Sequence, residues 1–317
     1  MDFLVATLGL VILLMSGDVL VRGAVNMALR LGVPALIVSL SIIAFGTSAP
    51  ELLIAIEAIW DDAPGIALGN VVGSNTANIL LVLGVPALIA GLSTTECETR
   101  RSYVHMIAAS LLFIVACFLG PIGLIHGIVL LFALALVLGD QVRTAMAHRS
   151  SAEPDEDDED LEGADPEIPW WKIFLFTALG LIGLPLGADL LVESATDIAK
   201  TYGISDRVIG LTLVAVGTSL PELATTVMAA IRRQADVALG NVIGSNMFNL
   251  LAIIGVASLF GTIPVDTSFL TFDLWVMLAA SLVLAPFVFH LTGNMNRLIG
   301  VVFTSLYIAY LAVLVAA

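Results

Sequence analysis

The sequence predicts an all-α polytopic membrane protein of about ten transmembrane helices, in two five-helix repeats of inverted topology, with broken helices 2, 3, 7 and 8 carrying polar residues. Three observations predict it. Of 317 residues, 59% are hydrophobic and 12% charged, and the mean hydropathy is +1.05. A water-soluble domain so composed would expose a large apolar surface. The apolar residues also gather in stretches near the ~20 residues that cross a bilayer. Finally, one half of the chain repeats the other at a constant offset.

The expected spans are 2–29, 34–59, 65–90, 102–119, 122–142, 172–199, 205–231, 236–260, 270–289 and 298–316. The first begins Met-Asp-Phe-Leu, without a basic region or a cleavage site, and reads as a retained span. Cys97 and Cys117 belong to no motif, so neither a disulfide nor a metal site is expected of them. With the N-terminus outside, inward ends and loops hold Arg30, Arg100, Arg101, Arg143, Arg149, Lys172, Arg232, Arg233 and Arg297. Outward loops hold only Lys200 and Arg207, and Arg22 lies within the first span. Basic residues favour the cytoplasmic side, so both termini are expected outside a cell membrane.

Between the fifth and sixth spans, "AEPDEDDEDLEGADPE" carries ten acids and much of the net charge of −15. It cannot bury a core and is expected to be a disordered cytoplasmic linker, with cation-dependent regulation as the functional alternative. The organisation is therefore a first repeat at 1–148, an acidic linker at 149–170 and a second repeat at 171–317. Two Lys beside 27 acids also suits a salt-rich environment.

The duplication is sharp. "AFGTSAPE" from residue 44 and "AVGTSLPE" from residue 215 agree at 6 of 8 positions, 171 residues apart. At the same offset, "ALGNVVGSNTANILLVLG" and "ALGNVIGSNMFNLLAIIG" agree at 11 of 18. Asp18 falls on Asp189, and Gly32 on Gly203. Five spans is an odd number, so the second copy starts from the opposite side, and the charge distribution agrees. Inverted repeats are a design of secondary transporters.

Glu51 and Glu222 lie deep in apolar spans, where an ionisable side chain costs at least ~2.5 kcal/mol and signals function. Two such carboxylates meeting near the midplane must share a proton or hold a cation. The surroundings favour a cation. Thr47 shares a helix face with Glu51, Thr218 with Glu222, Ser74 with Asn78, and Ser245 with Asn249. All offer oxygen and none offers sulfur or imidazole, which suits hard cations such as Ca²⁺, Mg²⁺ and Na⁺. Pro50 and Pro221 lack the N–H that would bond the carbonyl one turn back, so the helix is expected to kink and turn carbonyls inward. Ala44 and Ala215 are placed to supply them. Gly69-x-x-x-Gly73 and Gly240-x-x-x-Gly244, flanking Asn70, Asn75, Asn241 and Asn246, would allow close helix packing around the site.

"GTSAPE…GNVVGSN" and "GTSLPE…GNVIGSN" resemble the two alpha-repeats of the cation/Ca²⁺ antiporter superfamily, above all its Na⁺/Ca²⁺ exchangers. The resemblance covers the whole ten-span layout. It implies alternating access around a central cluster, with Ca²⁺ and Na⁺ as transported ions and no cofactor. Carried over position by position, Glu51 and Glu222 become shared ligands. Thr47, Ser48, Thr218, Ser219, Ser74 and Ser245 become hydroxyl ligands. Asn78 and Asn249 take the amide-or-acid positions, and Ala44 and Ala215 the carbonyl positions. Some microbial and K⁺-dependent relatives carry Asp where Asn249 stands. Two carboxylates balance one Ca²⁺ or two Na⁺, so the stoichiometry stays open and K⁺ dependence is disfavoured.

Elsewhere, Asp18 and Arg22 can pair along one face, with a role in the ion path as the alternative. Glu57, Asp61 and Asp62 are expected at the outer mouth, and His105 and His126 at interfaces or packed. The leading function is Ca²⁺ extrusion in exchange for Na⁺, with Ca²⁺/H⁺ antiport and a cation channel as rivals. No nucleophile–base set points to an enzyme. The expected partners are the two ions and membrane lipid, with no nucleic acid; one chain is expected to suffice for transport, and the oligomeric state is open.

Overall fold

The structure is a computed structural model that describes residues 2–94, 97, 99–151, 165, 168–203 and 215–316. Nine of its helices are long and apolar enough to cross a membrane. They are α1 (Asp2–Leu31), α2 (Ala35–Trp60), α3 (Pro64–Ile89), α4 (Arg100–Phe118), α5 (Leu124–Ser151), α6 (Trp170–Thr201), α8 (Ala235–Phe260), α9 (Phe269–Val288) and α10 (Arg297–Ala316). The shorter α7 (Leu220–Ile231) follows a helical turn at Ala215–Gly217. Together they fit a ten-helix inverted repeat, and their ends fall close to the predicted limits. The chief difference is α5, which runs to Ser151, beyond the expected 142. Residues 205–214 of the seventh expected span, with Arg207, and most of the acidic segment lie outside the described residues.

α1 and α6 cross as antiparallel neighbours at a seam of glycines. A Cβ on Gly9 would lie 2.9 Å from the Gly187 carbonyl oxygen, and one on Gly187 would lie 2.9 Å from that of Gly9. Further along, a Cβ on Gly23 would meet the Thr177 hydroxyl at 2.7 Å, and one on Gly180 the Leu20 Cβ at 2.5 Å. Lipid provides no hydrophobic drive between helices, so close van der Waals packing of this kind holds them together.

A second tight crossing joins the copies. A Cβ on Gly240 would lie 2.9 Å from the Leu36 carbonyl oxygen, and one on Gly244 2.6 Å from that of Leu40. The Ser39 hydroxyl donates to the Val237 carbonyl at 2.6 Å across the same seam. The Gly240–Gly244 pair thus packs as the spacing predicts. At its twin, a Cβ on Gly73 would meet nothing within 4 Å among the described residues, and one on Gly69 only Phe269, at 3.8 Å. The counterpart of Leu40 is Leu211, which lies outside the described residues.

Gly187→Leu is expected to overpack the α1–α6 seam by about 1–3 kcal/mol. It should lower the thermal transition of the detergent-solubilised protein, whereas Gly139→Leu, whose Cβ would meet nothing within 4 Å, should leave it unchanged. Thermal unfolding followed by tryptophan fluorescence checks the pair.

Candidate ion-binding site

The site forms where α2, α3, α7 and α8 depart from regular helix. α2 breaks at Ser48 (φ −86°, ψ 4°), and the seventh span breaks at Ser219 (φ −92°, ψ 5°), at equivalent positions of the two copies. Each break sits two residues before a proline whose missing N–H and ring oppose a continuous helix. The half-helices then restart with Glu51 and Glu222 in their first turns, where a carboxylate suits the helix dipole. α3 and α8 widen instead of breaking, into π-helical turns at Asn78–Val82 and Phe248–Ile253. These turns begin at or beside Asn78 and Asn249, and such bulges often accompany functional positions.

Most of the predicted side chains are buried, while Thr218 is half-buried. Glu51 is 1% exposed, Glu222 0%, Asn78 1% and Asn249 0%. Thr47, Ser48, Ser74, Ser219 and Ser245 are buried as well. The Ser48 hydroxyl, from the first copy, donates to Glu222 Oε1 of the second at 3.3 Å. Thr47 and Ser245 also lie beside Glu222, and the Glu222 charge bears directly on Glu51. Ala44 and Ala215 differ. The Ala44 carbonyl accepts the Ser48 N–H at 3.1 Å and the Thr47 hydroxyl at 3.4 Å, so the break frees it less than expected. In the second copy the Ser219 N–H turns to the Val216 carbonyl at 3.0 Å, bypassing that of Ala215.

Asparagines frame this centre. Asn75 Nδ2 donates to the Asn246 carbonyl at 3.2 Å, and Asn246 Nδ2 returns the bond to the Asn75 carbonyl at 3.3 Å. These residues are repeat equivalents, so the reciprocal pair ties α3 to α8 across the internal symmetry. Asn78 Nδ2 donates to Asn246 Oδ1 at 3.0 Å. Asn241 accepts from Thr47 at 3.3 Å and donates to Thr226 at 3.2 Å. The sequence placed Asn75, Asn241 and Asn246 near the site only as packing flanks, and Asn78 as a ligand. Their identity in both copies was the signal that they bond.

The donor set decides what fits. Glu51 Oε2, Glu222 Oε2, Asn78 Oδ1, Asn249 Oδ1, Ser74 Oγ and Ser219 Oγ are buried and have no hydrogen-bond partner among the described residues. Buried oxygens in that condition cost several kcal/mol together unless something satisfies them. A hard cation does so, because it takes oxygen ligands in numbers such as these. Among the described residues there is no cluster of three or more His, Cys, Asp or Glu, so the donors are mixed rather than carboxylate-rich.

The remaining residues stand apart. Asp18 pairs with Arg22 at 3.3 Å, as predicted, and also with Arg232, which the sequence did not suggest. Glu57, Asp61 and Asp62 are exposed at the end of α2. His105 has a carboxylate neighbour, Asp140, at 3.7 Å, and His126 Nδ1 accepts the Gly123 N–H at 3.3 Å. Cys97 and Cys117 are buried, and the Cys97 thiol donates to the Ser93 carbonyl at 3.5 Å. Asp273, not singled out in the sequence, lines a cavity of about 480 Å³ with Ser74 and Thr218 and accepts from Tyr310 at 3.4 Å.

A ten-helix inverted repeat with paired buried carboxylates at its centre defines a secondary transporter, not an enzyme. The family profile described as "Sodium/calcium exchanger protein" matches residues 1–141 and 172–316. The chain belongs to that family, within the cation/Ca²⁺ antiporters, whose transported ions are Na⁺ and Ca²⁺. It is similar to the sodium/calcium exchanger MaX1 of Methanosarcina acetivorans, 35% identical over 350 residues, 99% of this chain and 98% of that protein. It is also similar to the inner membrane protein YrbG of Escherichia coli, 31% identical over 306 residues, 96% of this chain and 94% of that one. The solved structure of the sodium-calcium exchanger NCX_Mj soaked with 2.5 mM Na⁺ and 1 mM Sr²⁺ matches with a TM-score of 0.82 and 33% identity, covering 98% of this chain and 97% of that one.

Glu51→Gln and Glu222→Gln each remove one of two like charges from the dry centre while keeping its shape. Without Ca²⁺ or Na⁺, each is expected to be more stable than wild type by on the order of 1–3 kcal/mol. Each should also lose the stabilisation that Ca²⁺ gives the wild type. Thermal unfolding with a chelator and then with Ca²⁺ checks both signs.

Proposed function

We propose that the protein extrudes Ca²⁺ across the cell membrane in exchange for Na⁺, by alternating access to the duplicated site. The observation that carries this reading is a set of buried oxygens, without partners among the described residues, to which both copies contribute: Glu51, Asn78 and Ser74 from one, Glu222, Asn249 and Ser219 from the other. Thr47, Ser48, Thr218, Ser245 and the carbonyls of Ala44 and Ala215 complete the ligand set. Ca²⁺ takes six to eight oxygens, and two carboxylates balance its charge. Two Na⁺ ions present the same charge and suit the same neutral oxygens, so the two cations compete for one cage. Coupling follows if the empty site resists the conformational switch because its carboxylates repel, and either load relieves that repulsion.

Hydroxyl and carbonyl oxygens favour Na⁺ over H⁺ as the counter-ion, since a proton needs only the carboxylates. MaX1 and NCX_Mj, both described as sodium/calcium exchangers, support the same choice. The proposed orientation puts both termini outside and the 149–170 segment in the cytoplasm, with the repeats at 1–148 and 171–317. One chain holds both halves of the cage, so a monomer is sufficient for transport.

The test is ⁴⁵Ca²⁺ uptake into proteoliposomes preloaded with Na⁺ or choline at clamped pH. Uptake is expected to require internal Na⁺ and to fall at least ~100-fold in Glu51→Gln and Glu222→Gln, because each removes a charged ligand from a buried site. Uptake driven by a pH gradient and indifferent to Na⁺ would replace Na⁺ with H⁺, and uptake needing neither gradient would make the protein a channel.

A further inference from the structure

The internal repeat allows each contact on one side of the site to be compared with its counterpart on the other. α1 lies against α7. A Cβ on Gly17 would sit 3.0 Å from both the carbonyl carbon and oxygen of Ala224. The next residue, Asp18, holds Arg232 at the end of α7 and also Arg22, at 3.3 Å. The Asp18 and Arg232 side chains are 21% and 13% exposed.

A shift of 171 residues carries these contacts to α6 and α2. Gly17 becomes Ala188, Ala224 becomes Leu53, Thr225 becomes Ile54, and the pair Asp18 and Arg232 becomes Asp189 and Asp61. There the contact is open. Leu53 is 62% exposed, against 7% for Ala224. A cavity of about 160 Å³ separates the two helices, with Pro50 and Ile54 on one wall and Ala188, Asp189 and Val192 on the other. Thr218 of the site borders this cavity, whereas its counterpart Thr47 is 2% exposed.

The charges are not equivalent either. The closed side carries Asp18 with Arg22, Arg232 and Arg233, one acid among three bases. The open side carries Asp189, Glu193, Asp61 and Asp62 at the same repeat positions, all acids. An inverted repeat changes access when its halves exchange conformations. The exchanged state brings α6 onto α2, with Asp189 beside Asp61 and Ala188 where Gly17 leaves no room for a Cβ.

We propose that the Asp18–Arg232 ion pair is a latch that holds the α1–α7 side shut, and that the acidic counterpart pair Asp189–Asp61 opposes closure of the α6–α2 side. The resting protein is thereby biased towards the state open between α2 and α6. Asp18 and Arg232 are positioning residues: they touch no transported ion and set which access state the empty transporter occupies. The latch rests on alternating access as proposed above, but not on the identity of the counter-ion.

The test uses single-cysteine reporters in nanodiscs, after replacement of Cys97 and Cys117, with a hydrophilic maleimide. Ile54→Cys reports the open side and Thr225→Cys, at the equivalent position, the closed side. In the latched protein Cys at 54 should label fast and at 225 slowly. Arg232→Gln should slow the first and speed the second by about fivefold or more. Asp61→Arg, which offers Asp189 a partner at an exposed helix end, should act in the same direction. The double exchange Asp18→Arg with Arg232→Asp should restore the original rates. Unchanged rates in Arg232→Gln and Asp61→Arg would overturn the latch, as would a double exchange that folds and stays shifted. If Arg232→Gln fails to fold, Asp61→Arg decides alone. Reporters that move reciprocally in a protein lacking Na⁺-driven uptake would fault the ion assignment and not the latch; Na⁺-driven uptake with motionless reporters would fault the latch alone.

Discussion

Two carboxylates share a water-poor centre, and the rest of the molecule follows from that. Like charges repel more strongly in a protein interior than in water. Glu51 and Glu222 are nevertheless brought to the middle of the bundle by helices that break at matched serines. The breaks need prolines, the approach of the copies needs Gly240 and Gly244, and the frame needs the reciprocal Asn75–Asn246 bonds. Each of these features lowers the cost of bringing two buried carboxyl groups together.

The duplicated sequence does not produce two identical halves. Thr47 is enclosed among Asn241, Ser245 and the Ala44 carbonyl, while Thr218 borders two cavities. α1 is seated on α7, while α6 stands away from α2. That difference between equivalent contacts is what alternating access requires of a single state, since access from both sides at once would let ions leak. In the proposed account the symmetry is kept in the candidate ligands and broken in the contacts of α1 with α7 and α6 with α2.

Much of this was legible in the residues. Apolar stretches of bilayer length located the helices, because a membrane span must satisfy its own backbone. The repeated GTS-x-PE and GN-V-x-GSN blocks pointed to the candidate site, because a buried acid with hydroxyls one turn away has few other uses. What escaped was contact between distant positions. Periodicity places Asp18 and Arg22 on one face but cannot show that Arg232 reaches Asp18 from another helix. The irregularity of α3 and α8 was foreseen, but not its form: a π-turn leaves no proline or glycine signature.

The most direct measurement is calorimetric Ca²⁺ binding to the purified protein across a series of Na⁺ concentrations at constant ionic strength. A single shared cage predicts that the apparent Ca²⁺ dissociation constant rises steeply with Na⁺, with more than one Na⁺ displaced per Ca²⁺. A Ca²⁺ affinity independent of Na⁺ would contradict it, because the two ions would then occupy separate sites.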